Sequence, residues 1–337
     1  MKEELIISGR LNPNIDPVLH IWHWQIPIYL FLGGLAAGLL FFASFYAIRG
    51  ESNRFPTAVK IAPILAPIAI ILGLIALFLD LKHKLFFWRL YTVIRLESPM
   101  SWGAWVLMII TPLSFMWVGG FLKEVFPKID LKKGLVAKLF RFALKENEGE
   151  VNWKWKYDFL EKFEKFIIFR RTELAWVILF YSLILGVYTG ILLSAFNARP
   201  LWNTAILGPI FLVSGLSTAA ASIMWMSKLP EEKKWFSKVD IMLIVIELFF
   251  ILHLFMGFLA GPQVQVDAAA LFWGGEFTVY FGLFVVILGL IMPAIFEVME
   301  LSGIHIHISI PAFLILMGGL IFRFVIVEAG QITRYLY

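Results

Sequence analysis

Titratable side chains stand inside or at the ends of runs that are otherwise apolar. Glu247 and His253 interrupt one run, Glu276 the next and Arg323 the last; Asp80 closes an earlier run, and His20, His23 and Trp24 open the first. A charge at the centre of a bilayer costs roughly 3 kcal/mol or more, so each such residue needs a partner or a task. Carboxylates, imidazoles and a guanidinium in apolar surroundings relay protons or hold the polar head of an apolar ligand. Tyr188, a phenol in another apolar run, adds a neutral hydrogen-bonding group.

The apolar runs themselves set the frame. The chain has 337 residues, 60% hydrophobic and 16% charged, with a mean hydropathy of +0.83. A soluble domain carries about 25% charged residues, so a soluble enzyme, a disordered tail and a nucleic-acid binder are excluded. The excess of 29 Lys+Arg over 24 Asp+Glu is mild and clusters between the runs, as a topology signal does. A crossing helix needs about 20 mostly apolar residues. Such runs lie near 24–48, 57–81, 99–122, 172–196, 202–228, 238–260, 271–296 and 304–328. The expected fold is all-α: a polytopic membrane protein of eight transmembrane helices in two four-helix bundles. Residues 1–122 and 172–337 form one membrane domain, and the ten-residue alternation of an outer-membrane barrel is missing. The first run is too long for a signal peptide and is expected to remain.

Basic residues favour the loops after the first, third and fifth spans, which places the long loop in the cytoplasm and both termini outside, in the cytoplasmic membrane. Lys82, Lys84, Arg89 and Arg95 fall on the other side in this arrangement. Within the 123–171 loop, Trp153, Tyr157, Leu160, Phe163 and Phe166 recur at helical spacing against Lys and Glu. That pattern predicts an amphipathic helix near 152–168 lying on the membrane surface, as an anchor or as a docking surface for a cytoplasmic partner.

Depth along each span, at 1.5 Å per residue, sorts the titratable groups. Glu276 and Arg323 fall about five residues, and His253 about seven, below the outer ends of their spans. Asp80, Tyr188, His20, His23 and Trp24 lie on the same side, His20 and Trp24 sharing a helical face. Glu276 and Arg323 are expected to pair, being on consecutive spans at one depth; alternatively Arg323 turns to the headgroups, to Asp80 or to a loop carbonyl. The plainer readings of the others are an interfacial belt for the histidines with Trp22 and Trp24, a helix cap for Asp80 and a packing role for His253. On the inner side Glu247 lies near mid-membrane, and Glu297, Glu300, His305 and His307 follow towards the last turn. These form part of a proton path with His253 and Glu276, or, for Glu297 and Glu300, simply face water at a helix end.

The chain has no cysteine, so it ligates no iron–sulfur cluster, attaches no c-type haem and forms no disulfide. Of six histidines only His253 is well inside a span, so no pair at matching depth is available for a b-type haem, and none is expected.

Several ordered segments resemble a known family. They are Tyr29-Leu-Phe-Leu-Gly-Gly-Leu-Ala-Ala-Gly38, Leu79-Asp80, Ser98-Pro-Met-Ser-Trp-Gly-Ala-Trp105, Tyr188-Thr-Gly-Ile-Leu-Leu-Ser194, Pro200-Leu-Trp-Asn203, Phe272-Trp-Gly, and the Gly318–Gln331 stretch around Arg323. In that order on an eight-span chain they resemble the NrfD/PsrC-type (polysulfide reductase NrfD) membrane subunits of quinone-linked oxidoreductases. The long 123–171 loop departs from the shorter members. The resemblance implies a haem-free subunit that binds a quinone, menaquinone or ubiquinone, near the outer face. It implies a ferredoxin-like iron–sulfur partner, often joined to a molybdopterin catalytic subunit, and possible coupling to proton translocation. It further implies that Tyr188 and a histidine at the start of the first span, His20 or His23, belong to the pocket.

The residues agree with that reading. A quinone needs an apolar slot with one or two donors at its carbonyls, and its redox change moves two protons, so titratable groups must reach water. Trp102, Trp105 and Trp202 are expected to wall the ring, with Trp24, Asp80 and Arg323 completing the pocket and Glu247, His253 and Glu276 serving the protons. The competing reading is a secondary transporter or ion pathway, which helices interrupted by Pro63, Pro67, Pro112, Pro293 and Pro311 also fit. A transporter would place its site at the midplane between inverted repeats; an inert anchor for a partner complex is the third reading.

Overall fold

The computed structural model describes residues 22–129 and 142–334. His20 lies outside the described residues. Eight helices are long and apolar enough to cross a membrane: α1 (Gln25–Ile48), α2 (Thr57–Asp80), α3 (Pro99–Val125), α5 (Arg171–Ser194), α6 (Leu207–Met226), α7 (Pro230–Leu259), α9 (Val279–Leu301) and α10 (Ser309–Ile332). Between them lie the short strands β1 (Leu144–Glu146) and β2 (Trp153–Trp155), the helix α4 (Asp158–Phe169) and the short helix α8 (Gln263–Ala270). Local chemistry sets several starts. Pro99 and Pro230 occupy the first turns of α3 and α7, where a missing N–H costs nothing, and Glu231 and Glu232 complement the N-terminal end of the α7 dipole.

The spans pack as two four-helix bundles, α1-α2-α3-α5 and α6-α7-α9-α10. In the first, α1 lies against α2 and α5, and α3 against α5; in the second, α6 lies against α7 and α10, and α9 against α10. The bundles meet through α1 on α6, flanked by α5 on α6 and α1 on α10. Each contact in one bundle has its counterpart in the other. With four spans per bundle, α1 and α6 cross in the same direction, so this repeat is parallel and not the inverted repeat a transporter often carries.

Apolar lipid supplies no hydrophobic drive between helices, so close backbone approach must. A Cβ on Gly38 would lie 2.4 Å from the Gly215 carbonyl oxygen, and one on Gly215 would lie 2.7 Å from that of Gly34. On the face where α1 begins, hereafter the N-terminal face, a polar clasp closes the same seam. The Trp22 N–H donates to Gln331 Oε1 and Gln331 Nε2 donates back to the Trp22 carbonyl, both at 2.8 Å. Trp202 stacks on Trp22 and donates from Nε1 to the Ile326 carbonyl at 2.9 Å. Trp202 is therefore a locked joint between α6 and α10 and no wall of an open pocket.

On the opposite, loop-side face, β1 pairs antiparallel with β2, Leu144 opposite Trp155. This corrects the amphipathic helix: residues 153–155 are a strand, and the helix runs from Asp158 to Phe169. Glu164 of α4 accepts from Lys123 of α3 and, at 2.9 Å, from Trp155 Nε1. Glu124 of α3 accepts from Lys60 of α2 at 2.8 Å and Arg171 of α5 at 3.2 Å, so three spans are tied at this end.

The α1–α6 contact makes a direct prediction. Gly38→Val should lower the melting temperature in detergent by several degrees or abolish folded yield, since overpacking a tight contact costs about 1–3 kcal/mol or more. Gly257→Val, where an added Cβ meets nothing within 4 Å, should be neutral. Equal thermal stability of the two variants would contradict this packing.

Candidate functional site

Two tyrosines meet inside the first bundle, towards the N-terminal face. Tyr29 comes from the second turn of α1 and Tyr188 from the last two turns of α5; both are buried. Each is seated by a glycine on a neighbouring span. A Cβ on Gly103 of α3 would lie 1.8 Å from Tyr188 Cζ, and one on Gly73 of α2 would lie 3.4 Å from Tyr29 Cδ2. The two phenols lie close to each other across α1 and α5. Tyr91, from the loop between α2 and α3, lies near enough to Tyr29 to act on it electrostatically, and its own phenol is pushed up by burial. Its carbonyl accepts from Trp105 Nε1 at 3.4 Å.

Two apolar recesses open near these residues, one beside Tyr91 and one beside Tyr188. One, of about 280 Å³, lies between α2 and the following loop, with Tyr91 in its wall beside Leu74, Phe78 and Leu90. The other, of about 530 Å³, runs between α3 and α5, lined by Trp102, Val106, Ile184 and Tyr188. Asp80 is half-buried at the end of α2, and His23 is near enough to act electrostatically on its carboxylate. Trp102 is half exposed and anchored through Nε1 to the Leu96 carbonyl at 2.8 Å; Trp24 is half exposed at the rim of the same face. The structure thus places Tyr188 beside Trp102 and His23 near Asp80, and it adds Tyr29, which lies near both Tyr188 and Tyr91.

Arg323 belongs elsewhere. It is 1% exposed, in the seam between α10 and α6. Its guanidinium donates to Ser214 Oγ at 2.7 Å and to the Phe211 carbonyl at 3.1 Å, lies over the Phe211 ring, and sits against Gly34 of α1. Glu276 is not its partner: it is exposed, in the turn before α9 and outside any span. Gly274, at φ +114°, helps hold that turn open. His253 also leaves the interior. It faces outward from α7, lies tilted against the Phe249 ring and bonds the Phe249 carbonyl at 2.9 Å, the packing role.

The carboxylate facing Arg323 is Glu247 of α7, with Ser214 between them. From there buried polar groups continue towards the loop-side face. Ser217, Glu247 and Glu297 surround Asp240, and Glu300 follows Glu297 one helical turn later. Glu247, Asp240 and Glu297 are all buried, so Glu297 is not a helix-end residue facing water. Neither oxygen of Asp240 or of Glu297 completes a direct hydrogen bond among the described residues. Carboxyls left this way in a low-dielectric interior are held by shared protons or by water. A cavity of water size lies on the line, between Ser214, Ser217, Glu247 and Gly318. Among the described residues no group of three or more His, Asp or Glu is placed to hold a metal ion.

The chain belongs to the family described as polysulphide reductase, NrfD. The family's model matches residues 12–334. The chain is 30% identical over 330 residues to Protein NrfD of Escherichia coli, covering 93% of this chain and 96% of that protein. It is also 30% identical over 327 residues to the C chain of polysulfide reductase from Wolinella succinogenes, covering 92% and 94%. The NrfD homolog of Haemophilus influenzae is 28% identical over 342 residues, 96% of each. With eight apolar spans, this NrfD-family protein is a multi-pass membrane protein.

Sequence reasoning missed Tyr29 and Asp240. Tyr29 stood in a glycine-rich segment with no polar neighbour to flag it. Asp240 fell at the expected start of its span, whereas α7 begins about ten residues earlier and carries it well into the membrane layer. The Arg323 assignment is testable by a double-mutant cycle. Arg323→Gln alone should cost about 3–5 kcal/mol, because it strands a buried charge. Arg323→Gln with Glu247→Gln should lose at least about 1 kcal/mol less than the sum of the singles. Glu276→Gln should add strictly to Arg323→Gln; coupling to Glu276 and additivity with Glu247 would overturn the assignment.

Proposed function

We propose that this protein is the quinone-binding membrane subunit of an oxidoreductase complex, exchanging electrons between the membrane quinone pool and an iron–sulfur partner and handling the accompanying protons. The observation that carries the reading is the Tyr29–Tyr188 pair, seated on two glycines, with Tyr188 in the wall of an apolar recess and Tyr91, near Tyr29, in the wall of another. The recesses fit an apolar ring and tail, and the phenols supply the hydrogen bonds a ring carbonyl accepts. Tyr188 and Trp102 would hold the ring in the α3–α5 recess, and Tyr29 would orient the Tyr188 hydroxyl. His23 and Asp80, at the N-terminal face, would pass protons between that site and water. The quinone, menaquinone or ubiquinone, supplies the two-electron chemistry when bound.

Electron carriers must come from another polypeptide, because this one has no cysteine. The Wolinella succinogenes relative is by its name one polypeptide of a larger reductase, and a cluster-bearing subunit with a catalytic subunit beyond it fits this protein in the same way. Its dock would be the N-terminal face, where the loop after α2 exposes Leu85, Ile94 and Leu96 beside Lys82, Lys84, Arg89 and Arg95. The complex is assigned to the cytoplasmic membrane with both termini outside, as the distribution of basic residues favours. The buried line Arg323–Ser214–Glu247–Ser217–Asp240–Glu297 would serve as a proton path to the loop-side face. Its cavity is the size of one water, which suits protons and is too small for a transported solute.

Two sets of variants test this in the intact complex. Tyr188→Phe, Tyr29→Phe and Asp80→Asn should each lower quinone-linked turnover at least tenfold, in line with the roughly 10²–10⁴ a positioned proton-transfer group contributes, while assembly is retained. Asp240→Asn should keep turnover in detergent but lose proton movement in sealed proteoliposomes. Wild-type quinone turnover in all three site variants would refute the site, and wild-type proton movement in Asp240→Asn would refute the path.

A further inference from the structure

On the face opposite the tyrosine pair, a groove of about 430 Å³ runs between α3 and α4. Pro112, Phe115, Met116 and Gly119, at helical spacing on one face of α3, make one wall; Leu160, Phe163 and Ile167, likewise spaced on α4, make the other. Gly119 opens it, since a Cβ there meets nothing within 4 Å. Phe115 and Phe163 remain half exposed at its lips. The top is closed by polar groups already satisfied: Glu164, buried, accepts from Lys123 and from Trp155 Nε1.

We propose that this groove holds one acyl chain of a phospholipid from the leaflet on the loop side. Its length supports that occupant. Its α3 wall runs from Pro112 to Gly119, seven residues or about 10 Å. A leaflet is half of a hydrocarbon core about 30 Å thick, so the groove fits within one leaflet. Its chemistry points the same way. Below the cap the walls carry no hydrogen-bonding side chain, and at the cap Lys123 and Trp155 each donate to Glu164. A quinone ring finds no donor along those walls, whereas an acyl chain needs none. Phe159, Phe166 and Phe169 on the remaining faces of α4 are exposed, at the level where aromatic side chains enter a lipid interface. The lipid thus seats α4 and the β1–β2 hairpin on the membrane beside α3.

Native mass spectrometry of the complex, purified and washed in lipid-free detergent, reads this as one retained phospholipid mass. Wild-type protein should keep it. Gly119→Leu, whose Cβ enters open space in the groove, should reduce its occupancy at least tenfold, while Gly257→Leu, equally open at its Cβ but on α7, should keep it. A photoreactive phenylalanine analogue replacing Phe163 in an otherwise wild-type protein should form an adduct of phospholipid mass, which decides the matter even where Gly119→Leu fails to fold. Equal phospholipid in Gly119→Leu and wild type, or a Phe163-position adduct to a quinone or to another protein, would overturn the proposal.

Discussion

A guanidinium buried among apolar spans must find all its partners in protein, because lipid offers none. Arg323 finds partners for its two terminal nitrogens on α6, in the Phe211 carbonyl and the Ser214 hydroxyl, while its Nε has none among the described residues, and its charge faces Glu247 beyond. This demand fixes how α10 approaches α6. Gly34 lets α1 close over the guanidinium, and Gly215 lets α1 and α6 touch at the backbone. The seam where α10, α6 and α1 meet is therefore built around one charge. Remove it, and Glu247 becomes an unpaired buried carboxylate.

That seam also relates the two polar regions. Tyr29 and Gly34 lie five residues apart on α1, about 7.5 Å along its axis. Tyr29 looks into the first bundle, at Tyr188 and Gly73, whereas Gly34 looks into the seam, at Arg323. One central helix thus meets Tyr188 with its own Tyr29 on one side and borders Arg323, the head of the carboxylate line, on another. The division gives each bundle its own work: apolar recesses with phenols in the first, buried carboxyls with serines in the second.

Much of this was legible in the sequence. Apolar length gave the eight spans, because a bilayer imposes that length whatever the side chains do. An amphipathic helix near 152–168 was readable too, though it begins only at Asp158, as were the placements of Trp102 beside Tyr188 and of His23 near Asp80. Depth was not, because it depends on where helices end. Leu271–Phe277 is as apolar as a span, yet Gly274 and Gly275 make it a turn, which removes Glu276 from the membrane layer. α10 runs four residues past its expected end, to Ile332, so Arg323 is about nine residues from the end and not five. Rotational phase was hidden as well: His253 and Glu247 share α7, but one faces outward and the other inward. The seats of Tyr29 and Tyr188 pair residues distant in the chain, and a glycine at 73 or 103 does not announce which ring will rest on it.

The central claim is that the tyrosine pair of the first bundle, not the carboxylate line of the second, is where the quinone sits. Photolabelling of the intact complex with an azido-quinone, followed by peptide mapping, tests it most directly. The label should fall on the peptides carrying Tyr91, Trp102 or Tyr188, and excess unlabelled quinone should compete it away. Competable labelling confined to the peptides of Asp240, Glu247 or Glu297 would contradict the account.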